Sequence, residues 1–228
     1  MLPEPRELSI REVTAGYPGV PVLNRLSLDV SAGRLTGLVG ANGAGKSTLF
    51  DVVCGRLRAR HGRVLLGGRD ITHVPTHRRA RLGLGRTYQR LEVFGSLSVA
   101  ENLLVAARAT GRAEPDRAVT DTLRRLGLAD FAAYPAGKLP TGVARRVEIA
   151  RALAGGAGVL LLDEPSSGMG TAELADFAET LRALTRDGLA LLMIEHDMEL
   201  VEAVCDEVYE LRDGRAEETW SGAGAGGG

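Results

Sequence analysis

A glycine-rich segment, Gly40 to Thr48 (GANGAGKST), constrains this chain more than any other part of its sequence. It follows an apolar run, residues 35–39, and matches the pattern G-x-x-x-x-G-K-[ST]. Glycines let the backbone curl so that successive N–H groups point at phosphate oxygens, and a following helix directs its positive end at the same anion. A glycine-rich turn without a ligand is the alternative, and the flanking strand and helix patterns disfavour it. The segment indicates an α/β protein that binds ATP or GTP.

Two side chains of this loop carry the chemistry. Lys46 is expected to reach the β- and γ-phosphates, and the Ser47 hydroxyl is expected to coordinate Mg²⁺. We predict a nucleotide, ATP or GTP, together with Mg²⁺ as the ligands. The predicted nucleotide-binding residues of the loop are Asn42, Gly43, Ala44, Gly45, Lys46, Ser47 and Thr48.

A second motif, VLLLDEP, is an apolar run of strand length that is followed directly by two acidic residues. An acidic residue at the end of a buried strand holds Mg²⁺ in many nucleotide sites, and here that residue is Asp163. Alternation along the strand turns Glu164 the other way, toward the γ-phosphate, where it can polarise an attacking water. A strand that ends in two solvated acids is the alternative. The Asp-Glu pair favours hydrolysis over phosphoryl transfer by a small-molecule kinase.

Composition narrows the class of protein further. The 228 residues, 44% hydrophobic, suit either one α/β domain or one domain that carries a small inserted subdomain. The net charge of −1 disfavours nonspecific nucleic-acid binding. Cys54 and Cys205 are far apart in sequence and indicate buried thiols, not a disulfide framework or a metal site. The N-terminus lacks a signal-peptide pattern, and the most apolar run, residues 189–194, is too short to span a bilayer. We therefore expect an intracellular chain.

The order of patterns along the chain predicts how these motifs are arranged. Residues 8–34 predict antiparallel strands, residues 62–72 a hairpin that turns at Gly67-Gly68, and Ser47 to about Val53 a helix. Ser98 and Glu101 have the spacing of a capping box, which starts a helical region that continues to about Leu153. Two continuously apolar runs flank an amphipathic helix near the C-terminus, which indicates parallel strands buried on both faces. The tail, residues 221–228, is predicted to be flexible and separate from the fold.

Three further motifs resemble those of the ATP-binding cassette family, and the likeness extends from about Leu8 to Arg215. RTYQRLEVFGSLSVAENLLVA resembles its glutamine loop, IEHDMELV its switch-histidine segment, and RRVEIARALAGGAGVLLLDEP its signature helix leading into the magnesium strand. GYPG lies where the family places an aromatic residue ahead of the phosphate loop. Each motif alone has an ordinary alternative, such as a surface tyrosine or a strand-end histidine, but here they follow one another in the family's order.

The resemblance implies a fold and further site residues. The fold class is α/β, a P-loop NTPase (RecA-like) parallel sheet core with an antiparallel β subdomain and an inserted α-helical subdomain. Residues 1–220 would form one nucleotide-binding domain, with residues 1–88 and 156–217 in the β subdomain and core and residues 89–155 in the helical subdomain. Tyr17 would stack on adenine, and Gln89 would be both a catalytic coupling residue and a magnesium ligand. His196 would act in hydrolysis with Glu164 by hydrogen bonding to the γ-phosphate or the attacking water.

One motif departs from the family's wording. Family members usually carry a sequence like Leu-Ser-Gly-Gly-Gln before the signature helix, where it contacts ATP bound to a second cassette. Here Leu139 and Gly142 match, but Pro140 replaces the serine, Thr141 the first glycine and Val143 the glutamine. We expect Thr141 to serve as a shifted helix N-cap and, with Gly142, to contact the phosphate.

The substitutions in this motif are expected to remove hydrogen bonds to the facing ATP and so to lower the rate of hydrolysis. Pro140 offers neither a hydroxyl nor an N–H, and Gly170 stands where an aspartate usually reaches the opposite site. Loss of one or two charge-assisted hydrogen bonds would slow hydrolysis by about tenfold to a few thousandfold. Two unlike cassettes would then pair one strong site with one weak one.

Within the family, the motif sequences resemble those of the branched-chain amino-acid importers. The resemblance lies in GRTYQ, VAENLLVAAR and IEHDMELVEAVCDEVYEL. The resemblance implies an ATPase subunit that dimerises with a second cassette, identical or not, and binds integral membrane permease subunits through Gln89 and residues 90–94. It would be cytoplasmic and peripheral on the inner face of the membrane, with no nucleic-acid partner. The alternatives are a lipopolysaccharide-export cassette, a regulatory nucleotide-binding subunit of low activity, and a soluble cassette ATPase acting on DNA or ribosomes.

Overall fold

The computed structural model describes residues 6–221, which alternate between strands and helices. In chain order the strands are β1 (Leu8–Tyr17), β2 (Val20–Val30), β3 (Leu35–Val39), β4 (His61–Leu66), β5 (Arg69–Asp70), β6 (Leu84–Arg86), β7 (Val159–Asp163), β8 (Ala190–Ile194), β9 (Glu207–Arg212) and β10 (Arg215–Ser221). The helices are α1 (Lys46–Cys54), α2 (Thr76–Arg81), α3 (Val99–Thr110), α4 (Pro115–Arg125), α5 (Thr141–Ala154), α6 (Thr171–Arg186) and α7 (Met198–Val204), with short 3₁₀ turns at Ala129–Phe131 and Ala136–Lys138.

The strands form two sheets. Four strands pair antiparallel in the order β2-β1-β4-β5, and six form a sheet in the order β10-β9-β3-β8-β7-β6, in which only β10 runs antiparallel to its neighbour. The predicted fold class is confirmed, a P-loop α/β core beside an antiparallel sheet. Helices α3, α4 and α5 lie within residues 89–155, the range that we propose as a helical subdomain.

The parallel part of the larger sheet positions the functional motifs. Because parallel strands end at the same edge of a sheet, the loops that follow them meet there, and ligands of such sheets bind at this edge. The phosphate loop follows β3, Gln89 follows β6, Glu164 follows β7 and His196 follows β8. Motifs far apart in sequence are thus brought to one edge.

The larger sheet is buried on both faces, as its continuously apolar strands predict. Along β7, Val159 and Leu161 face a cluster that contains α1 and the smaller sheet, while Leu160 and Leu162 face a cluster that contains helices α3 to α6. All four side chains have no solvent exposure. The magnesium strand is therefore fixed by packing on two sides, and the residues at its end are held by a rigid element.

Several local predictions are confirmed. Helix α3 has the capping box of Ser98 and Glu101, and β4 and β5 pair across the Gly67-Gly68 turn. Both cysteines are buried, and burial raises the pKa of the Cys205 thiol to about 12. The predicted flexible tail lies outside the described residues except for Ser221, which ends β10. Within residues 6–221, no helix has the length and apolar character needed to cross a bilayer.

Candidate active site

The phosphate loop makes a tight turn between β3 and α1. Gly40 and Gly45 have φ angles of 146° and 110°, which L side chains rarely adopt. A Cβ at Gly40 would lie 2.6 Å from the carbonyl oxygen of Leu211, so only glycine fits there. Gly45 caps α1 without a side-chain hydrogen bond to the first turn of the helix. The loop therefore presents a helix N-terminus that no side chain caps, which is the arrangement that phosphate binding requires.

A cavity of about 290 Å³ lies at this turn. It brings together most of the predicted site residues, namely Tyr17, Asn42, Gly43, Gly45, Lys46, Ser47, Thr48, Glu164 and His196. Ala44 is not among its lining residues, and its N–H donates to the carbonyl of Ala41 at 3.1 Å. Tyr17 lies at the end of β1 and is 47% exposed, so its ring is accessible to a flat ligand.

Lys46 is held by the loop itself. Its Nζ donates to the carbonyl oxygens of Gly40 at 2.6 Å and Ala41 at 3.1 Å. Burial lowers the pKa of Lys46, and the nearby carboxylates of Glu164 and Asp163 oppose that shift. A bound phosphate would offer this ammonium group anionic acceptors in place of carbonyl oxygens, a stronger kind of hydrogen bond.

Glu164 links the three predicted catalytic residues. The Gln89 amide Nε2 donates to Glu164 Oε2 at 2.7 Å, and His196 Nε2 lies 2.9 Å from Glu164 Oε1. The backbone of Glu164 has φ of 46°, in the left-handed region that disfavours non-glycine residues. Such strain is concentrated at functional sites, where the surrounding structure enforces it. The carboxylate is thus held in the cavity between two polar side chains from β6 and β8 loops.

Asp163, the last residue of β7, has a different hydrogen-bond partner from those of Glu164. Its Oδ2 accepts a hydrogen bond from Arg86, a residue to which the sequence patterns assigned no role of its own. Among the described residues, no group of three His, Cys, Asp or Glu side chains is placed to hold a metal. Mg²⁺ does not need such a group, because it usually takes one or two protein ligands and completes its shell with phosphate and water. Ser47, Gln89 and Asp163 are the residues predicted to hold it.

The predicted signature segment has a different cap from the one that we expected. The N-cap of α5 is Pro140, and Thr141 is the first helical residue, so the prediction of a Thr141 cap is wrong. The physical reason is that Glu173, on α6, supplies the acceptor at the start of α5. The Gly142 N–H donates to Glu173 Oε1 at 3.1 Å, and the Gly170 N–H donates to Glu173 Oε2 at 3.2 Å. One carboxylate thus satisfies donors at the starts of two helices, α5 and α6. The capping-box spacing from Gly170 to Glu173 was a sequence signal for the second contact only.

The double contact predicts an effect on stability. We expect Glu173→Ala to lower the free energy of unfolding by about 1–2 kcal/mol, because it leaves two helix N-terminal donors without their acceptor. Asp176→Ala is the matched control, since Asp176 is an exposed carboxylate on the same helix whose side chain accepts none of the described hydrogen bonds. Urea denaturation of both variants measures the difference. Equal losses in the two variants would contradict a capping role.

Helix α5 also holds the glutamine segment in place. Arg145 donates to the carbonyl oxygens of Tyr88, at 2.7 Å, and Gln89, and it pairs with Glu148 at 2.9 Å. Glu148 in turn accepts from the Glu92 N–H at 2.7 Å. Burial raises the pKa of the Glu148 carboxyl, while these hydrogen bonds and the Arg145 charge oppose the shift. Movement of α5 would therefore be transmitted to the backbone beside Gln89.

Comparison with known proteins identifies the family. The family model described as "ABC transporter" matches residues 23–167, which include the phosphate loop, Gln89, the signature segment and Glu164. The chain is a member of the ABC transporter family. Tyr17 and His196 lie outside the matched range, and their place in the site rests on the geometry above.

Individual relatives within the ABC transporter family have different names. A "Probable ABC transporter ATP-binding protein" of Azorhizobium caulinodans is 36% identical over 203 residues, which are 87% of this chain and 71% of the relative. "Arabinose import ATP-binding protein AraG 2" of Burkholderia ambifaria is 36% identical over 93% of this chain, which spans only 42% of that protein. "Lipopolysaccharide export system ATP-binding protein LptB" of Acidithiobacillus ferridurans is 35% identical, with 91% of this chain and 87% of the relative covered.

A solved structure of the ABC transporter family confirms the fold. The ADP conformation of MJ1267, an ATP-binding cassette of an ABC transporter, superposes with a TM-score of 0.86 at 27% identity, covering 95% of this chain and 92% of that one. ATP and Mg²⁺ are the ligands of this family, and ATP hydrolysis is expected of its subunits. The predicted ATP-binding and ATPase classes are therefore confirmed.

Proposed function

We propose that this ABC subunit hydrolyses ATP at the β-sheet edge and thereby powers a membrane transporter. The observation that carries the proposal is the placement of Glu164 at the phosphate-loop cavity, hydrogen bonded to Gln89 and close to His196. A carboxylate there can orient a water and take its proton, and the neighbouring polar groups fix its position. Lys46 and the α1 N-terminus would stabilise the charge that develops on the phosphate oxygens.

The remaining site residues have proposed roles in binding. The loop residues Asn42 to Thr48 would surround the phosphates, and Tyr17 would stack on the adenine ring. When Mg²⁺ is bound it neutralises phosphate charge, and Ser47, Asp163 and Gln89 are its proposed ligands. The geometry supports Ser47 through its place in the cavity and Gln89 through its contact with Glu164.

A second cassette is part of the proposal. Thr141 and Gly142 lie at the start of α5 and do not line the cavity of their own chain. If they contact a nucleotide, it is one bound to a partner, which is why the functional unit would be a dimer of identical or related cassettes. Permease subunits in the membrane would bind near Gln89 and residues 90–94, and the chain would lie on the inner face of the membrane.

The proposed transport is the import of a small solute. The motif sequences resemble those of branched-chain amino-acid importers, whereas two of the relatives described above are named for arabinose import and lipopolysaccharide export. Their names do not support an amino acid. We keep import of a small solute as the proposal, since the relative named for arabinose import supports it.

A subunit of low intrinsic activity is the second candidate. Pro140 removes the usual serine hydroxyl, Gly170 replaces the usual aspartate, and Glu173 already occupies the Gly142 N–H. Each feature weakens what this surface offers to a facing nucleotide. A weak site of this kind would work when paired with an unlike cassette that supplies a complete signature.

Size-exclusion chromatography of Glu164→Gln with and without ATP and Mg²⁺ separates the two candidates. We expect ATP to convert the monomer to a dimer, because the variant retains nucleotide and each signature segment closes on the partner's site. The double variant Lys46→Ala, Glu164→Gln is the control that should stay monomeric. A Glu164→Gln protein that binds ATP yet remains monomeric contradicts self-pairing and favours an unlike partner.

A further inference from the structure

Arg86 lies at a junction of three elements that the proposed reaction uses. Its guanidinium donates to Asp51 Oδ1 at 2.7 Å and to Asp163 Oδ2 at 2.9 Å. Its side chain is only 9% exposed, and the guanidinium carbon lies over the rings of Phe50 and Tyr88 at 5.4 and 4.9 Å from their centroids. Asp51 belongs to α1, which follows the phosphate loop, and Asp163 ends β7. Arg86 itself ends β6, three residues before Gln89.

The charges at this junction are unequal. One buried cation faces two carboxylates, and burial alone would lower the pKa of Arg86. The hydrogen bond to Asp51, the neighbouring Cys54, and the hydrogen bond and charge of Asp163 together outweigh burial and raise that pKa above its ordinary value. The planar guanidinium presents its donors in a fixed fork, so it holds both acceptors in defined directions. The two rings restrict its position further, and the result is a rigid support for the Asp163 carboxylate.

Only one oxygen of that carboxylate is used. Oδ2 accepts from Arg86, whereas Oδ1 accepts none of the hydrogen bonds found among the described residues. Fixing one oxygen of a carboxylate restricts rotation about its last bond and so fixes the lone pairs of the other. Carboxylates that ligate metals are commonly oriented in this way by a second hydrogen-bonding partner.

We propose that Arg86 is a positioning residue that orients Asp163 toward the Mg²⁺ accompanying ATP. The inference rests on the proposed function, and it adds a residue that neither the phosphate loop nor the magnesium strand contains. Because Arg86 also donates to Asp51 on α1, it links the position of the Asp163 carboxylate to that helix. A lysine at this position has a single ammonium group on a flexible stem and cannot reproduce the fork, so it would hold Asp163 less firmly.

The test measures the affinity of the intact chain for a fluorescent ATP analogue twice, once in the presence of Mg²⁺ and once in the presence of EDTA. The background is Glu164→Gln, which prevents turnover during the titration. The quantity measured is the factor by which Mg²⁺ strengthens binding. We expect Arg86→Met to reduce that factor by about tenfold while affinity in EDTA stays the same. Arg86→Lys should give a smaller reduction.

Asp51→Asn is the matched control. It removes one charge from the junction, but the amide oxygen of the substituted side chain can still accept from Arg86 as Asp51 Oδ1 does. The Arg86–Asp163 hydrogen bond is therefore kept, and the magnesium factor should stay near that of the parent. If Arg86 had a structural role alone, its substitution would lower the affinity for the ATP analogue equally in Mg²⁺ and in EDTA. An equal loss of affinity in the Arg86→Lys variant therefore overturns the inference. An increased factor also overturns it, because Arg86 would then compete with the metal. If Arg86→Met does not fold, Arg86→Lys and Asp51→Asn decide. A parent protein that binds no ATP instead refutes the proposed function.

Discussion

Lys46→Ala is expected to abolish tight ATP binding. In the structure Lys46 Nζ makes two hydrogen bonds to the carbonyl oxygens of Gly40 and Ala41, and phosphate oxygens would replace these acceptors. Loss of two charge-assisted hydrogen bonds removes about 3–6 kcal/mol of binding free energy. Affinity should therefore fall by about two to four orders of magnitude, as measured by equilibrium titration with a fluorescent ATP analogue.

Lys138→Ala is the matched control for this change. Lys46 and Lys138 are the only lysines of the chain, and Lys138 is exposed outside the cavity. Its substitution should leave ATP binding by the monomer unchanged. Near-normal ATP affinity in Lys46→Ala would show that the cavity at the phosphate loop is not where the nucleotide binds.

Glu164→Gln is expected to keep ATP binding and block hydrolysis. The substituted amide has nearly the shape of the carboxylate, and it offers an oxygen to Gln89 and an NH₂ group to the His196 ring nitrogen, so the site should keep its arrangement. It cannot take a proton from water. Loss of a general base lowers turnover by about 10²- to 10⁴-fold. Steady-state phosphate release and ATP titration on the same preparation measure both parts of the prediction.

Glu202→Gln provides the comparison at an exposed position of α7. It changes the same functional group outside the cavity and should hydrolyse ATP at the parental rate. Turnover of Glu164→Gln close to that rate would remove Glu164 from the role of base. Gln89 and His196, whose side chains contact Glu164, would then be the polar groups left beside the attacking water.

Much of the site was predictable because its signals are local. Gly40 to Ser47 specify a turn and a helix start within a few residues, and Ser98 with Glu101 specifies a cap in the same way. The burial of β7 on both faces follows from its apolar run. Once these strands are parallel, topology alone brings Glu164, Gln89 and His196 to one edge.

The residues that the sequence analysis missed make contacts with residues far away in the sequence. Arg86 contacts Asp163, 77 residues away, and Glu173 contacts Gly142, 31 residues away. No local pattern specifies which arginine of an arginine-rich sequence is buried between two carboxylates. The wrong cap at Thr141 has the same origin, because the acceptor that satisfies the start of α5 comes from a different helix. Contacts of this kind follow from packing and not from spacing.

The backbone of Glu164 has a further consequence. Its φ of 46° carries an energetic penalty of about 1–2 kcal/mol for a residue with a side chain, whereas glycine adopts this conformation freely. The most stable sequence for this turn is therefore not the one that presents a carboxylate to the cavity. At this position, thermodynamic stability and chemical competence make opposite demands, and a search for stabilising substitutions alone would remove the residue on which the proposed reaction depends.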